Sequence, residues 1–235
     1  MQRLTTISEN IWGAETTVPI GLGAHLPLRM TVLGSEHGLV LVSPISIDDQ
    51  LAEQLAAMGE VSAIVGPNLL HYRFLAAAKA RYSNAKLLGA PGLAAKRREI
   101  CFDAEIARGA LGHEIESLHI EGADKLSEVI FWHRPSRTLV MTDTIFNVGD
   151  ASGMSWLVLK LLSGTLGRLE QSRLIRSLTK DRATAGSSVE AIFDWQIDRI
   201  VMAHGAVVES DENGTAAAKL RAGLWWWLGE SRPRR

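Results

Sequence analysis

Apolar and polar residues alternate along the chain with periods that change from strand-like to helical and back. Between Met30 and Val42, two aliphatic runs flank the polar, glycine-bounded segment 34–38, a composition typical of a β-hairpin turn. From Ser46 to Gly59, apolar residues recur at helical spacing around a pair of aspartates, which predicts an amphipathic helix. The opening therefore predicts strands, and a helix follows them.

The remaining segments continue this alternation. Further predicted strands cover residues 63–65, 86–89, 115–120, 128–133, 138–142 and 199–202. Predicted helices cover residues 71–82, 93–98, 154–162, 170–178, 187–195 and 215–228. Two mixed β-sheets packed together, with helices on the outer faces, would bury all of these segments. We therefore predict an α+β fold, a four-layer αββα sandwich, as one domain over residues 1–235.

Composition and charge exclude several classes of protein. The chain of 235 residues is 46% apolar, which is ample for a core, and its formal charge of −1 provides no field that would attract nucleic acid or a membrane. No apolar run reaches the length of a transmembrane helix. The single cysteine, Cys101, excludes an internal disulfide and favours the cytoplasm.

Four polar residues stand at or just beyond the ends of predicted strands, where open α/β sheets place their ligands. Asn68 and His71 follow the strand at 63–65, Asp143 follows the strand at 138–142, and His204 follows the strand at 199–202. Two imidazoles and a carboxylate form a reasonable ligand set for zinc, iron or manganese.

In order and spacing these residues resemble the metallo-β-lactamase superfamily, and more narrowly an uncharacterised bacterial family with a degenerate metal motif. The resemblance covers nearly the whole chain. In the superfamily a strand ends in a His-x-His-x-Asp-His loop, and segment 66–71 reads Gly-Pro-Asn-Leu-Leu-His. His71 matches the last histidine, whereas Gly66, Asn68 and Leu70 replace the first histidine, the second histidine and the aspartate.

Downstream the resemblance is mixed. The superfamily's Gly-His-Thr element corresponds to Gly-Ala-Asp at 122–124, so that histidine is missing too. Asp143 matches the bridging aspartate, and His204 matches the last histidine. The resemblance thus implies His71, Asp143 and His204 as metal ligands, with Asn68 as a weak oxygen ligand or a hydrogen-bond donor. It implies one divalent ion, zinc in the first place with iron or manganese as alternatives, or none.

A metal-dependent hydrolase follows from this resemblance, acting on an ester, thioester, amide or phosphoester of an unidentified small molecule. Asp143 would serve as ligand and as general base. Two alternatives stay open: a non-catalytic descendant that binds a small molecule or a protein, and an iron-dependent oxidoreductase. The three tryptophans at 225–227 point about 100° apart on a helix, so they cannot all pack on one surface, which favours a homodimer.

Overall fold

The computed structural model describes residues 3–232, except for the side chain of Leu162. Its first sheet has seven strands in chain order, antiparallel from the first to the fourth and parallel from the fourth to the seventh. These strands are β1 (Thr5–Ser8), β2 (Ile11–Gly21), β3 (Ala24–Ser35), β4 (Gly38–Val42), β5 (Val61–Gly66), β6 (Lys86–Gly89) and β7 (Ala104–Glu105).

The second sheet has five strands in the order β12-β11-β10-β9-β8, and only the β10–β11 pair is parallel. Its strands are β8 (Ile115–His119), β9 (Val129–His133), β10 (Thr138–Met141), β11 (Arg199–Met202) and β12 (Val208–Glu209). The α-helices are α1 (Asp49–Met58), α2 (Leu75–Arg81), α3 (Leu93–Lys96), α4 (Gly153–Leu157), α5 (Arg173–Leu178), α6 (Arg182–Glu190), α7 (Ala216–Gly223) and α8 (Trp225–Leu228).

Successive side chains of the central strands enter different apolar layers, because side chains alternate between the faces of a sheet. In β4, Val40 and Val42 pack between the two sheets, whereas Leu41 packs outward against the helical layer formed by α1, α2 and α3. In β10, Val140 faces the space between the sheets and Leu139 faces the layer of α5 to α8. The predicted fold of two mixed sheets with outer helices is confirmed.

Several predicted boundaries are wrong for local reasons. The helix predicted at 71–82 begins only at Leu75, and the helix predicted at 170–178 begins at Arg173, because the Ser172 side chain caps the amide of Ile175. Residues 154–162 divide into α4 and a π-helical turn (Val158–Ser163), and residues 187–195 divide into the end of α6 and a 3₁₀ turn (Ala191–Asp194).

The tryptophans at 225–227 are accommodated within the chain. Trp227 is buried, Trp225 donates its indole N–H to Glu170 at 2.8 Å, and Arg182 lies over the ring of Trp226. The homodimer stays a prediction, as does the single-domain organisation. Among the described residues, none of the helices combines the length and apolar character needed to span a bilayer.

Candidate metal centre

The polar residues predicted at strand ends meet at one edge of the sandwich. Asn68 and His71 follow β5 of the first sheet, whereas Asp143 and His204 follow the parallel strands β10 and β11 of the second. Because β10 and β11 run in register from Thr138 to Met141, their carboxyl ends bring Asp143 and His204 together. The structure thus places side chains from both sheets around one point.

Asp143 lies between the two imidazoles. Its Oδ2 is 3.0 Å from Nε2 of His71, and its Oδ1 is 3.1 Å from Nε2 of His204. One potential ligand atom from each of the three residues lies within 4.8 Å of the others, and the two rings meet edge to face at 5.4 Å. All three side chains are at most 8% exposed, so their interactions are little screened by solvent.

The orientation of His204 is fixed from two sides. Its Nδ1 lies 2.6 Å from the carbonyl oxygen of Pro27, and its ring stacks on Phe146 at 5.0 Å. Since a carbonyl oxygen only accepts, Nδ1 carries a proton. In the neutral ring, Nε2 therefore presents a lone pair to the Asp143 carboxylate, and this contact requires either a second proton or a cation.

His71 is held by Ser43, a residue that the sequence did not single out. The Ser43 Oγ lies 2.6 Å from Nδ1 of His71. Ser43 follows β4 with a φ of 55°. This left-handed backbone conformation costs energy for residues other than glycine and asparagine. A serine after an apolar strand has no distinctive sequence pattern, and only the position at a strand end could have indicated its role.

Asn68 has the hydrogen-bond-donor role that was predicted for it as an alternative. Its Nδ2 donates to Asp143 Oδ2 at 2.8 Å and to Thr142 Oγ1 at 2.9 Å. Its Oδ1 accepts the amides of Leu70 and His71 at 2.7 and 3.0 Å. Because the amide oxygen is already occupied by backbone donors, Asn68 is not oriented as an oxygen ligand.

Glu128 supports the loop that carries Asp143, and sequence reasoning also missed this role. The side chain is fully buried, and its carboxylate accepts the backbone amides of Thr142, Asp143 and Thr144 at 2.7, 2.8 and 2.8 Å. The available signal was that Glu128 directly precedes the apolar run 129–131, because a carboxylate buried with such a run requires hydrogen-bond partners.

The charges of the cluster perturb one another. Burial alone would raise the pKa of Asp143, but the charges and hydrogen bonds of His71 and His204 outweigh burial, so the pKa is well below its usual range. Burial likewise opposes the charged form of His71, yet Asp143 and Glu128 raise the pKa of that imidazole. Burial and the nearby Asp143 raise the pKa of Glu128, against the effect of its three amide donors.

A cavity of about 770 Å³ opens at this cluster. His71, Asp143 and His204 contribute to its lining together with Ser43 and Leu70. Cavities of roughly 300–1,000 Å³ are the usual size of small-molecule sites. The polar cluster is therefore accessible to a ligand despite its burial.

Comparisons with known proteins find similarity in structure but not in sequence. No protein-family model and no curated protein matches the sequence. By contrast, a metallo-β-lactamase from Pontibacter korlensis aligns with a TM-score of 0.64 at 14% identity, covering 97% of this chain and 98% of that one. A metallo-β-lactamase from Hirschia baltica aligns with a TM-score of 0.64 at 11% identity, over 100% and 99% of the two chains. The chain has the metallo-β-lactamase fold.

A third match with the metallo-β-lactamase fold is the enzyme FIM-1 from Pseudomonas aeruginosa in its mono-zinc form. Its TM-score is 0.62 at 13% identity, and the alignment covers 97% of this chain and 93% of that one. At such identities the likeness is one of fold. The metallo-β-lactamase fold expected from the resemblance at His71, Asp143 and His204 is confirmed.

Two residues that the sequence resemblance assigns to motif positions, Gly66 and Leu70, have different surroundings in the structure. A Cβ added at Gly66, in place of the motif's first histidine, would lie 2.7 Å from Leu93 Cδ2 and 2.8 Å from Leu75 Cδ1. Leu70, in place of the aspartate, is 39% exposed and lines the cavity. The first position is thus closed by packing, and the second turns an apolar side chain toward the ligand space.

Proposed function

We propose that the chain is a metal-dependent hydrolase that holds one divalent cation, zinc in the first place, between His71, Asp143 and His204. The orientation of His204 carries this proposal. Its Nδ1 proton is committed to the carbonyl of Pro27, so a neutral ring directs the Nε2 lone pair at a carboxylate oxygen 3.1 Å away. A cation between them would satisfy both groups.

The donor set fits such an ion. Zinc–ligand bonds of about 2.0–2.1 Å in tetrahedral geometry separate two ligand atoms by roughly 3.4 Å. The Nε2 atoms of His71 and His204 lie 3.0 and 3.1 Å from the two different oxygens of Asp143, and the three candidate ligand atoms lie within 4.8 Å of one another, so a bound ion would require the side chains to shift. Three protein ligands with an open fourth position are typical of catalytic zinc sites. The mono-zinc form of FIM-1 supports the proposal, because it is a protein of this fold with a single zinc.

A bound divalent ion supplies Lewis acidity, which polarises a carbonyl or phosphoryl oxygen and lowers the pKa of water to about 7. The chain's own residues orient this centre: Ser43 and Pro27 fix the two imidazoles, and Asn68 holds the carboxylate. The general-base role of Asp143 stays a prediction. Both of its oxygens already face donors and its pKa is lowered, so we assign it the ligand role first.

One observation favours the alternative of a binding protein without catalysis. Leu70 occupies the position of the motif aspartate and is partly exposed in the cavity, so it offers the site an apolar surface and no second carboxylate. The same cavity would then hold a small molecule that is not cleaved. This reading predicts ligand binding that is independent of metal.

Elemental analysis of the purified protein distinguishes these functions. We expect about one zinc per chain, lost in His71→Ala and His204→Ala and retained in His37→Ala, whose imidazole is exposed. Hydrolysis of p-nitrophenyl acetate should require the metal. Failure of the protein to bind any divalent ion would contradict the proposal and favour the binding protein. Iron with a visible absorption band would favour the oxidoreductase.

A further inference from the structure

The large apolar side chains with substantial exposure are not scattered over the described surface. Within residues 3–232, excluding Leu162, they all belong to four segments: the β2–β3 hairpin, the loop after β5, α4 with the π-helical turn, and α5. The most exposed are Leu22 at 82%, Leu174 at 57% and Leu161 at 52%. Each of these segments contributes residues to the lining of the cavity at the metal centre, and of the exposed side chains themselves Ile20, Leu70 and Leu174 belong to that lining.

The cavity itself has apolar walls and a polar end. The hairpin contributes Val18 and Ile20 to one wall, and the π-helical turn and α5 contribute Leu159 and Leu174. The hairpin and α4 are joined by a hydrogen bond from the amide of His25 to Ser155 Oγ at 2.9 Å. The hairpin is therefore linked to the helix that leads into the π-helical turn, so two sides of the cavity are connected before a ligand enters.

The chemistry of the lining restricts what can occupy the space. A polar ligand would leave its hydrogen-bonding groups unsatisfied against the aliphatic walls, whereas an apolar chain would be transferred out of water. The permanent charges in the described lining, apart from Asp143 at the polar end, are the positive Arg73 and Arg173. An occupant with a cationic group would be repelled by these two arginines.

We propose that the substrate is an acyl compound, neutral or anionic, whose apolar chain fills this cavity with its carbonyl group at the end formed by His71, Asp143 and His204. This inference rests on the proposed hydrolase function and adds a substrate class to it. Leu70 then belongs to the binding surface, because it is exposed next to His71 where the carbonyl end of the chain would lie.

A series of p-nitrophenyl esters from acetate to dodecanoate, given to the zinc-loaded protein, tests this inference. Each fully buried methylene is expected to raise kcat/KM about fourfold, equivalent to about 0.8 kcal/mol, and the series should gain at least about tenfold overall. If the acetate ester is hydrolysed but kcat/KM does not rise with chain length, the substrate class is overturned and the hydrolase proposal still stands. Lack of zinc and of hydrolysis with every ester would instead overturn the hydrolase.

A binding assay provides a readout that does not depend on catalysis. Dodecanoate should displace an apolar fluorescent probe from the metal-free protein at a concentration about tenfold lower than dodecyltrimethylammonium, with both below their micellar range. The two compounds have chains of similar length and opposite charge, so the difference reports the net effect of the charges in the lining, Arg73 and Arg173 against Asp143. Displacement by neither compound would overturn the inference, as would stronger displacement by the cation.

Two matched variants test where the acyl chain of the substrate binds. Leu174→Asn, inside the cavity, should lower the ratio of dodecanoate to acetate hydrolysis several-fold. Leu22→Asn removes the most exposed leucine, which lies at the hairpin tip and outside the cavity lining, and should leave that ratio unchanged. An equal loss in both variants would show that the acyl chain also depends on apolar surface outside the cavity, and the assigned site would be wrong.

Discussion

The substitution Glu128→Gln tests whether the loop that carries Asp143 is held by one buried carboxylate. Glutamine keeps the size of the side chain but replaces one acceptor oxygen by a donor. If its remaining oxygen accepts the amides of Asp143 and Thr144, its NH₂ group faces the amide of Thr142, which lies 2.7 Å from the glutamate oxygen. One buried backbone donor then has no acceptor.

The expected cost follows from these contacts. A buried donor without a partner costs about 1–3 kcal/mol, and two charge-assisted hydrogen bonds become neutral bonds of about half the strength. Removal of a buried charge beside Asp143 offsets part of this loss. We expect a decrease of about 2–4 kcal/mol in the free energy of unfolding, equivalent to a fall in Tm of roughly 4–16 °C for a chain of this size.

Thermal unfolding of the metal-free protein, with Glu53→Gln as control, measures the effect. Glu53 is an exposed residue of α1, so its substitution should stay within about 0.5 kcal/mol of the parent. Zinc affinity should fall with the stability in Glu128→Gln, because the loop at 142–144 positions a ligand. If Glu128→Gln is as stable as the control, the three amides find other partners and the assigned role is wrong.

Three further predictions concern the same centre. Ser43→Ala should weaken zinc binding about 10–100-fold by calorimetry, because it removes the partner that orients His71; unchanged affinity would contradict that role. Because the pKa of His71 is raised in the fold, its contribution to the stability of the metal-free protein is fully present below the pKa of an unfolded histidine, about 6.5. Because the pKa of Asp143 is lowered, its contribution is fully present above the pKa of an unfolded aspartate, about 3.9. Stability should therefore fall as pH rises above about 6.5 through the folded-state pKa of His71 and as it drops below about 4; Asp143→Asn should flatten both limbs, and unchanged limbs would refute the coupling. Gly66→Ala should destabilise the fold by about 1–3 kcal/mol in urea titrations, because its Cβ crowds two leucines, and a neutral effect would show that they can move.

The sequence predicts the parallel, doubly buried strands better than the partly exposed antiparallel ones. β4, β5, β10 and β11 are short runs of aliphatic residues, and apolar burial on both faces produces such runs. By contrast, β2 is largely exposed over its second half. Its strand conformation depends on pairing with β3 from Ile11 to Gly21, a long-range contact that local periodicity does not contain.

The candidate site shows a similar division between ligands and their supports. His71, Asp143 and His204 could be predicted because strand ends and motif spacing are properties of the sequence. Their supports could not, because Pro27 acts through a backbone carbonyl and Ser43 lies 28 residues from the histidine that it contacts. The donor orientation of Asn68 likewise depends on where two amides point, which only the fold determines.

The changes at Gly66 and Leu70 link the reduced metal motif to the shape of the cavity. Packing of Leu75 and Leu93 against Gly66 leaves no room for an imidazole, so a second metal site cannot be restored by Gly66→His without repacking the first sheet's helical layer. Leu70, by contrast, is partly exposed, so Leu70→Asp alters the lining without crowding the core. We expect Leu70→Asp to retain the fold, tighten zinc binding and weaken dodecanoate binding, because it exchanges apolar surface for a carboxylate next to His71. Tighter zinc binding together with weaker dodecanoate binding would show that one position sets both properties. If both affinities rise or both fall, or if zinc binding weakens, this link is refuted.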